Sequence, residues 1–142
     1  MKGYKFLQHT ADVMFEAYGS TLEKLFENAA LAVENSMVNT DTLGDEDHYE
    51  ITLESDSHEN LLYDFLSELI FVKDTEGLLF KDFEIVIKHE NKRYHLFAKC
   101  SGEFLDRNKH ELLDDTKAVT MHNFILEQKS DRTWFCRIII DV

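Results

Sequence analysis

The chain has 142 residues, of which 44% are hydrophobic and 30% charged, with five glycines and no proline. That composition excludes intrinsic disorder, collagen-like repeats and a proline-rich linker. The length suits one domain over residues 1–142 that buries roughly 68–70% of its unfolded surface.

The net charge of −13 is uneven: residues 1–80 hold four Lys/Arg against seventeen Asp/Glu, and residues 81–142 hold eleven of each. Phosphate backbones are bound mainly through Lys and Arg, so autonomous nucleic-acid binding is not expected. An acidic face suits solubility, cation binding or docking to a basic protein. No apolar stretch is long enough to cross a bilayer, and no signal-peptide pattern opens the chain. Cys100 and Cys136 sit in strand-like segments without metal-ligand spacing, as reduced core thiols of a cytoplasmic protein would.

Tyr4–Leu7 and Val13–Tyr18 read as strands, with Val13, Phe15 and Ala17 alternating against Met14, Glu16 and Tyr18. Ser20 and Glu23 have capping-box spacing, and Leu22, Leu25, Phe26, Ala29, Ala30 and Val33 form one helical stripe behind them. An exposed acidic connection at Leu43-Gly44-Asp45-Glu46-Asp47 leads into a strand at Tyr49–Leu53. A second helix starts at an Asp56 or Ser57 cap, buries Leu61, Leu62, Phe65, Leu66, Leu69 and Ile70, and stops at Gly77. Phe83, Ile85 and Ile87 alternate up to a turn at Glu90–Arg93, and Tyr94, Leu96 and Ala98 alternate back. Val119–Leu126 and Trp134–Asp141 repeat that hairpin pattern around Gln128–Asp131. The fold class this implies is α/β (α+β): a two-layer sandwich of a mixed, mainly antiparallel sheet with two main helices.

No glycine-rich phosphate loop, nucleophile elbow, His-Glu-x-x-His or Cys-x-x-Cys motif is present. Three groups of polar residues are placed awkwardly for folding alone. The first is His9-Thr10-Ala11-Asp12, between two short apolar strands. The second is Asp141, which ends the most apolar strand. The third joins Gly102–His110 to Thr116–Asn123, with Lys117 and His122. Each has a plain structural reading as turn, solvated strand end or satisfied imidazole. If the first and last strands are neighbours, however, Asp12, Asp141 and Val142 converge. Their oxygen donors form a hard-cation set that favours Ca²⁺, Mg²⁺ or Mn²⁺ over zinc. A zinc site from His9, His110 and His122 lacks any signature spacing.

Seven segments, in order along the chain, carry a family resemblance. They are Phe6–Asp12, Glu27–Ala32, Asp74–Phe80, Gly102–Asp106, Lys109–Glu111, Lys117–His122 and Ile140–Val142. In these the sequence resembles the archease family, accessory proteins of the RtcB-type RNA ligase that joins RNA ends in tRNA splicing. The resemblance implies an activator, not a stand-alone enzyme, that helps the ligase acquire guanylate on its histidine and turn over repeatedly. It places a metal site at Asp12 and Asp141, with Val142 adding backbone or carboxylate oxygen, and a functional lysine at Lys117. The cofactor expected is a divalent cation, Ca²⁺ first, with Mg²⁺ or Mn²⁺ as alternatives. His9 and His122 join Lys117 as candidate partner or nucleotide contacts. Met121 and Thr116 depart from the family pattern, where an aromatic and an aliphatic usually stand. The rival readings are a metal-dependent hydrolase with His9 as general base and a metal-independent interaction or chaperone module.

Overall fold

The computed structural model describes residues 3–7 and 12–142. Strand β1 (Tyr4–Leu7) pairs antiparallel with β2 (Val13–Gly19), and a 16-residue helix α1 (Leu22–Met37) follows. The helix is capped by Thr21, in extended backbone, whose Oγ1 accepts the Lys24 N–H at 3.1 Å. Ser20 and Glu23 therefore do not form the capping box. The cap falls one residue later, and Glu23 sits in the first turn, where its charge complements the helix dipole. The apolar stripe is buried as its spacing requires, from Leu25 and Phe26 through Ala29, Ala30 and Val33 to Met37.

A short 3₁₀ turn at Thr40–Thr42 leads to β3 (Asp47–Ser55), longer at both ends than the alternation alone marked. The connection between them is not all solvent-facing. Leu43 is buried, and the Gly44 N–H donates to Glu103. Helix α2 (His58–Glu76) is capped by Ser57, whose hydroxyl accepts the Asn60 N–H at 3.1 Å. It ends at Gly77, which adopts the left-handed conformation (φ 69°) that closes helices. Strands β4 (Leu78–Glu90) and β5 (Arg93–Phe104) form the expected hairpin. Its two turn residues, Asn91 and Lys92, have φ of 54° and 63°, the pair of positive angles that a two-residue turn needs. At Gly102 a side chain would run into the Leu79 carbonyl, so the β4–β5 irregularity at Phe80–Asp82 requires glycine there.

The last hairpin differs from the expectation. The strand foreseen at Val119–Leu126 is two pieces, β6 (Ala118–Val119) and β7 (Ile125–Gln128), both antiparallel to β8 (Trp134–Asp141). Ala118 faces Asp141 and Ile125 faces Arg137, so seven steps on one side span four on the other. The surplus loops out as a turn at Met121–Phe124, with Asn123 at φ 54°.

The strands lie in two sheets, β1-β2-β8-β6 with β7 also on β8, and β3-β5-β4. Every pairing between these strands is antiparallel. This is the α+β class expected, with its strands divided between two sheets. Helix α1 packs on β2 and β4, and α2 on β3, β4 and β5. The Phe26 and Phe65 rings stack at 6.1 Å between the helices. Both cysteine thiols are buried, which pushes each up to about 12 and leaves them inert. Among the described residues no helix is long and apolar enough to cross a membrane.

One acid lies inside this core. Glu34, fully buried on α1, accepts the Phe80 N–H at 3.0 Å with Oε1, while Oε2 has no partner among the described residues. Burial pushes its carboxyl up to about 8, against the opposing pull of the Phe80 N–H and the Lys73 charge. The folded chain therefore holds a proton that the unfolded chain, with an ordinary value of about 4.3, has released. Stability falls as pH rises through that window and levels off above about 8. Glu34→Gln cannot ionise. It should melt several degrees above wild type at pH 9 and near it at pH 5, in thermal unfolding followed by circular dichroism. Equal melting at both pH values would contradict the assignment.

Candidate metal and partner-contact site

Strand β8 is bonded on both sides. Val13 through Gly19 of β2 pair with Ile140 back to Trp134, and β6 and β7 cover the other edge. The β2–β8 ladder ends at the Val13–Ile140 pair, with Asp12, in a bend, and Asp141 next in chain on either side of it. On the opposite edge Ala118 pairs with Asp141, and the Lys117 N–H donates to the Asp141 carbonyl at 2.8 Å. Asp141 thus ends β8 at a corner, between the chain segments that enter β2 at Asp12 and β6 at Lys117, with the half-buried Val142 next in chain. The Asp141 and Lys117 side chains are exposed, and Asp12 is half-buried. Lys117 also helps hold the Asp115 carboxyl below its usual range, behind the larger effect of Lys73.

Two of the remaining sequence candidates stand elsewhere. His122 is exposed in the Met121–Phe124 turn and not in the strand expected over Val119–Leu126. His110 is buried, with both ring nitrogens committed: Nδ1 accepts the Asp106 N–H at 2.9 Å, which leaves Nε2 to donate to Glu103 at 2.7 Å. That neutral, satisfied ring is not placed to ligate zinc with His122. His9 lies outside the described residues.

The Gly102–His110 motif works as a clasp. Glu103 accepts from Lys109, the Gly44 N–H and His110, and these bonds hold its carboxyl down at about 2. From the clasp, residues 111–117 run as a strap across the end of α1. Asn39 donates to the Glu111 carbonyl, Leu113 donates to Met37 at 2.9 Å, and Asp114 donates to Ser36 at 3.1 Å. The strap's fully buried hydroxyl, Thr116 Oγ1, meets Ser36 Oγ at 2.8 Å, so a polar residue there has its partner in α1. Lys73 ties the strap to α2, reaching Asp115 at 2.9 Å and the Thr116 carbonyl at 3.2 Å. Sequence reasoning missed Ser36, Lys73, Asp114 and Asp115. Their pairings span up to 80 residues and leave no local pattern.

Beside this corner Asp12 lines a cleft of ≈ 500 Å³ with Asn35, Ser36 and Asp114, walled by Phe6 and Leu113. Chemically, the corner offers two carboxylates, main-chain oxygens at a strand end and an exposed ammonium. Among the described residues no three His, Cys, Asp or Glu side chains gather at metal-binding spacing. Two carboxylates with main-chain oxygen and water nevertheless suit a hard divalent ion, which takes oxygen ligands and keeps several waters.

The sequence profile of the Archease protein family (MTH1598/TM1083) matches residues 4–142. The chain belongs to the archease family. It is 39% identical to protein archease of Pyrococcus abyssi over 142 residues, covering 100% of both chains. It is 36% identical to protein archease of Methanosarcina barkeri over 142 residues, covering 99% of this chain and 97% of that one. The solution structure of Methanobacterium thermoautotrophicum protein 1598 superposes with a TM-score of 0.87 at 38% identity, covering 100% of both chains. The family resemblance of the sequence is borne out, and with it the α+β fold.

The clasp generates a direct test. His110→Ala strands the Asp106 N–H and takes a donor from Glu103, which should cost about 1–3 kcal/mol. Amide exchange should quicken through residues 111–116 before it does in β8. Unchanged melting and exchange would show that the motif does not hold the strap.

Proposed function

We propose that this chain activates an RtcB-type RNA ligase in tRNA splicing, acting in the cytoplasm as an accessory protein without a reaction of its own. What supports the reading is that an archease-family chain has β8 paired to both β2 and β6, with Asp12 and Lys117 the residues that precede those two strands and the Lys117 N–H bonded to the Asp141 carbonyl. The supported step is guanylylation of the ligase histidine, in which an imidazole attacks the α-phosphorus of a nucleoside triphosphate and pyrophosphate leaves. Asp12 and Asp141, with main-chain oxygen from Val142, would hold a divalent cation, Ca²⁺ first and Mg²⁺ or Mn²⁺ as alternatives. Such an ion offsets negative charge gathering on phosphate oxygens. Lys117 presents its ammonium beside the same corner for the phosphates, and His9 and His122 are further contacts for partner or nucleotide. The acidic first 80 residues steer the encounter with a basic face of the ligase.

The test is multiple-turnover RNA ligation by an RtcB-type ligase with and without this chain. Wild type should restore turnover, while Asp12→Ala and Asp141→Ala should lose at least about tenfold in stimulation and melt close to wild type. Stimulation retained by both folded variants would remove the metal corner from the mechanism. The steering claim is separate: the association rate should fall as salt is raised, and a rate flat with salt would overturn it.

A further inference from the structure

The strap that delivers Lys117 also forms the shared wall of two clefts. Leu113 and Asp114 line both the ≈ 500 Å³ cleft that reaches Asp12 and a second cleft of ≈ 390 Å³ bordered by Lys73, Asp74, Arg107, Leu112 and Asp115. Volumes of this order hold one or a few side chains of an incoming segment. The rim carries three exposed apolar side chains: Phe6 is 44% exposed, Leu112 38% and Leu113 53%. The wall is also fixed before anything binds. Its backbone is bonded to Ser36 and Met37, and its side chains to Ser36 and Lys73. A groove so held loses little further freedom on docking.

Charge decides what fits. In the second cleft Lys73 is closed upon by Asp74 at 2.6 Å and Asp115 at 2.9 Å. Asp114 enters no ion pair among the described residues and lines both clefts. The cleft toward Asp12 has two carboxylates, an amide and a hydroxyl among apolar walls, and no Lys or Arg among its described lining. Such a lining repels phosphate and complements a cation carried on an apolar stem. A guanidinium or ammonium on a side chain fits that description, since its alkyl portion packs on Phe6 and Leu113 while its head meets Asp114.

We propose that this double groove docks an extended segment of the partner protein, one that sets an arginine or lysine between apolar residues, with Asp114 receiving the cation. The inference rests on the activator reading and names the surface through which it operates. It assigns Asp114, Leu113 and Phe6 to partner recognition, apart from the metal corner.

The experiment measures the affinity of an RtcB-type ligase for the full chain at fixed salt. It compares wild type, Asp114→Lys, Leu113→Ser and Glu50→Lys, the last on the exposed face of β3. Asp114→Lys and Glu50→Lys change net charge equally, which separates a local contact from general steering. Both strap variants keep the backbone bonds to α1, and circular dichroism checks that they fold. Asp114→Lys should weaken binding at least about tenfold and Leu113→Ser at least about threefold, with Glu50→Lys within about twofold. Wild-type binding that Asp114→Lys leaves no weaker than Glu50→Lys overturns the groove and spares the activator reading. A wild-type chain that does not bind the ligase overturns both. Self-association of wild type that Asp114→Lys abolishes, with ligase affinity unchanged, makes a second copy the occupant and overturns the proposal.

Discussion

The constraint on which the molecule depends is the enclosure of β8. It is paired along one edge to β2 and along the other to β6 and β7, and Cys136, Ile138, Ile139 and Ile140 are all buried. Each buried isoleucine contributes about 1.5–3 kcal/mol, and because Cys136, Ile138 and Ile140 alternate into the core while Ile139 is buried on the other face, a one-residue slip would turn those three away from the core. Register is therefore fixed, and so is the position of whatever ends the strand. Asp141 is held in place with no bond to its carboxylate among the described residues. Midway along the same ladder Glu16 meets Arg137 at 2.6 and 2.9 Å, with further bonds from Tyr18 and Lys5. Burial pushes the Glu16 carboxyl up, but those bonds outweigh it and keep it charged.

The second layer of control is the strap. Residues 111–117 have almost no secondary structure of their own, yet nearly every anchor they use belongs to a rigid element. Ser36, Met37 and Asn39 lie on or just after α1, Lys73 on α2, and Asp141 at the end of β8. Lys117 is thereby placed by three elements at once. The clasp at Glu103 and His110 fixes where the strap begins, and the Lys117 bond to Asp141 fixes where it ends. Residues that look like a conventional charged loop in sequence are the means by which distant parts of the fold meet at one corner.

Much of this could be read from the sequence, and the parts that could differ in kind from those that could not. The faces of α1 and α2, the Gly77 stop and the Glu90–Arg93 turn follow local rules of period, capping and turn chemistry, and the structure has them. The sequence reading set a condition, that the first and last strands be neighbours, and it is not met: β1 pairs only with β2, and it is the second strand, which Asp12 precedes, that lies beside β8. The split of the Val119–Leu126 strand was missed because three surplus residues are invisible until the partner's register is known. Glu34 was legible in principle, since it sits four residues after Ala30 and beside Val33, inside the apolar stripe. The strap was not legible. Its hydrogen bonds join residues up to 80 apart, and no periodicity in the chain encodes them.

The proposed activation depends on a divalent cation held by Asp12 and Asp141 at the end of β8. The most direct measurement is calorimetric titration of the purified chain with Ca²⁺ and Mn²⁺, repeated on folded Asp141→Asn. One divalent site is expected in wild type, lost or severely weakened in the variant while its melting is unchanged. A wild-type chain that binds neither ion, or an Asp141→Asn chain that binds as tightly as wild type, would contradict it.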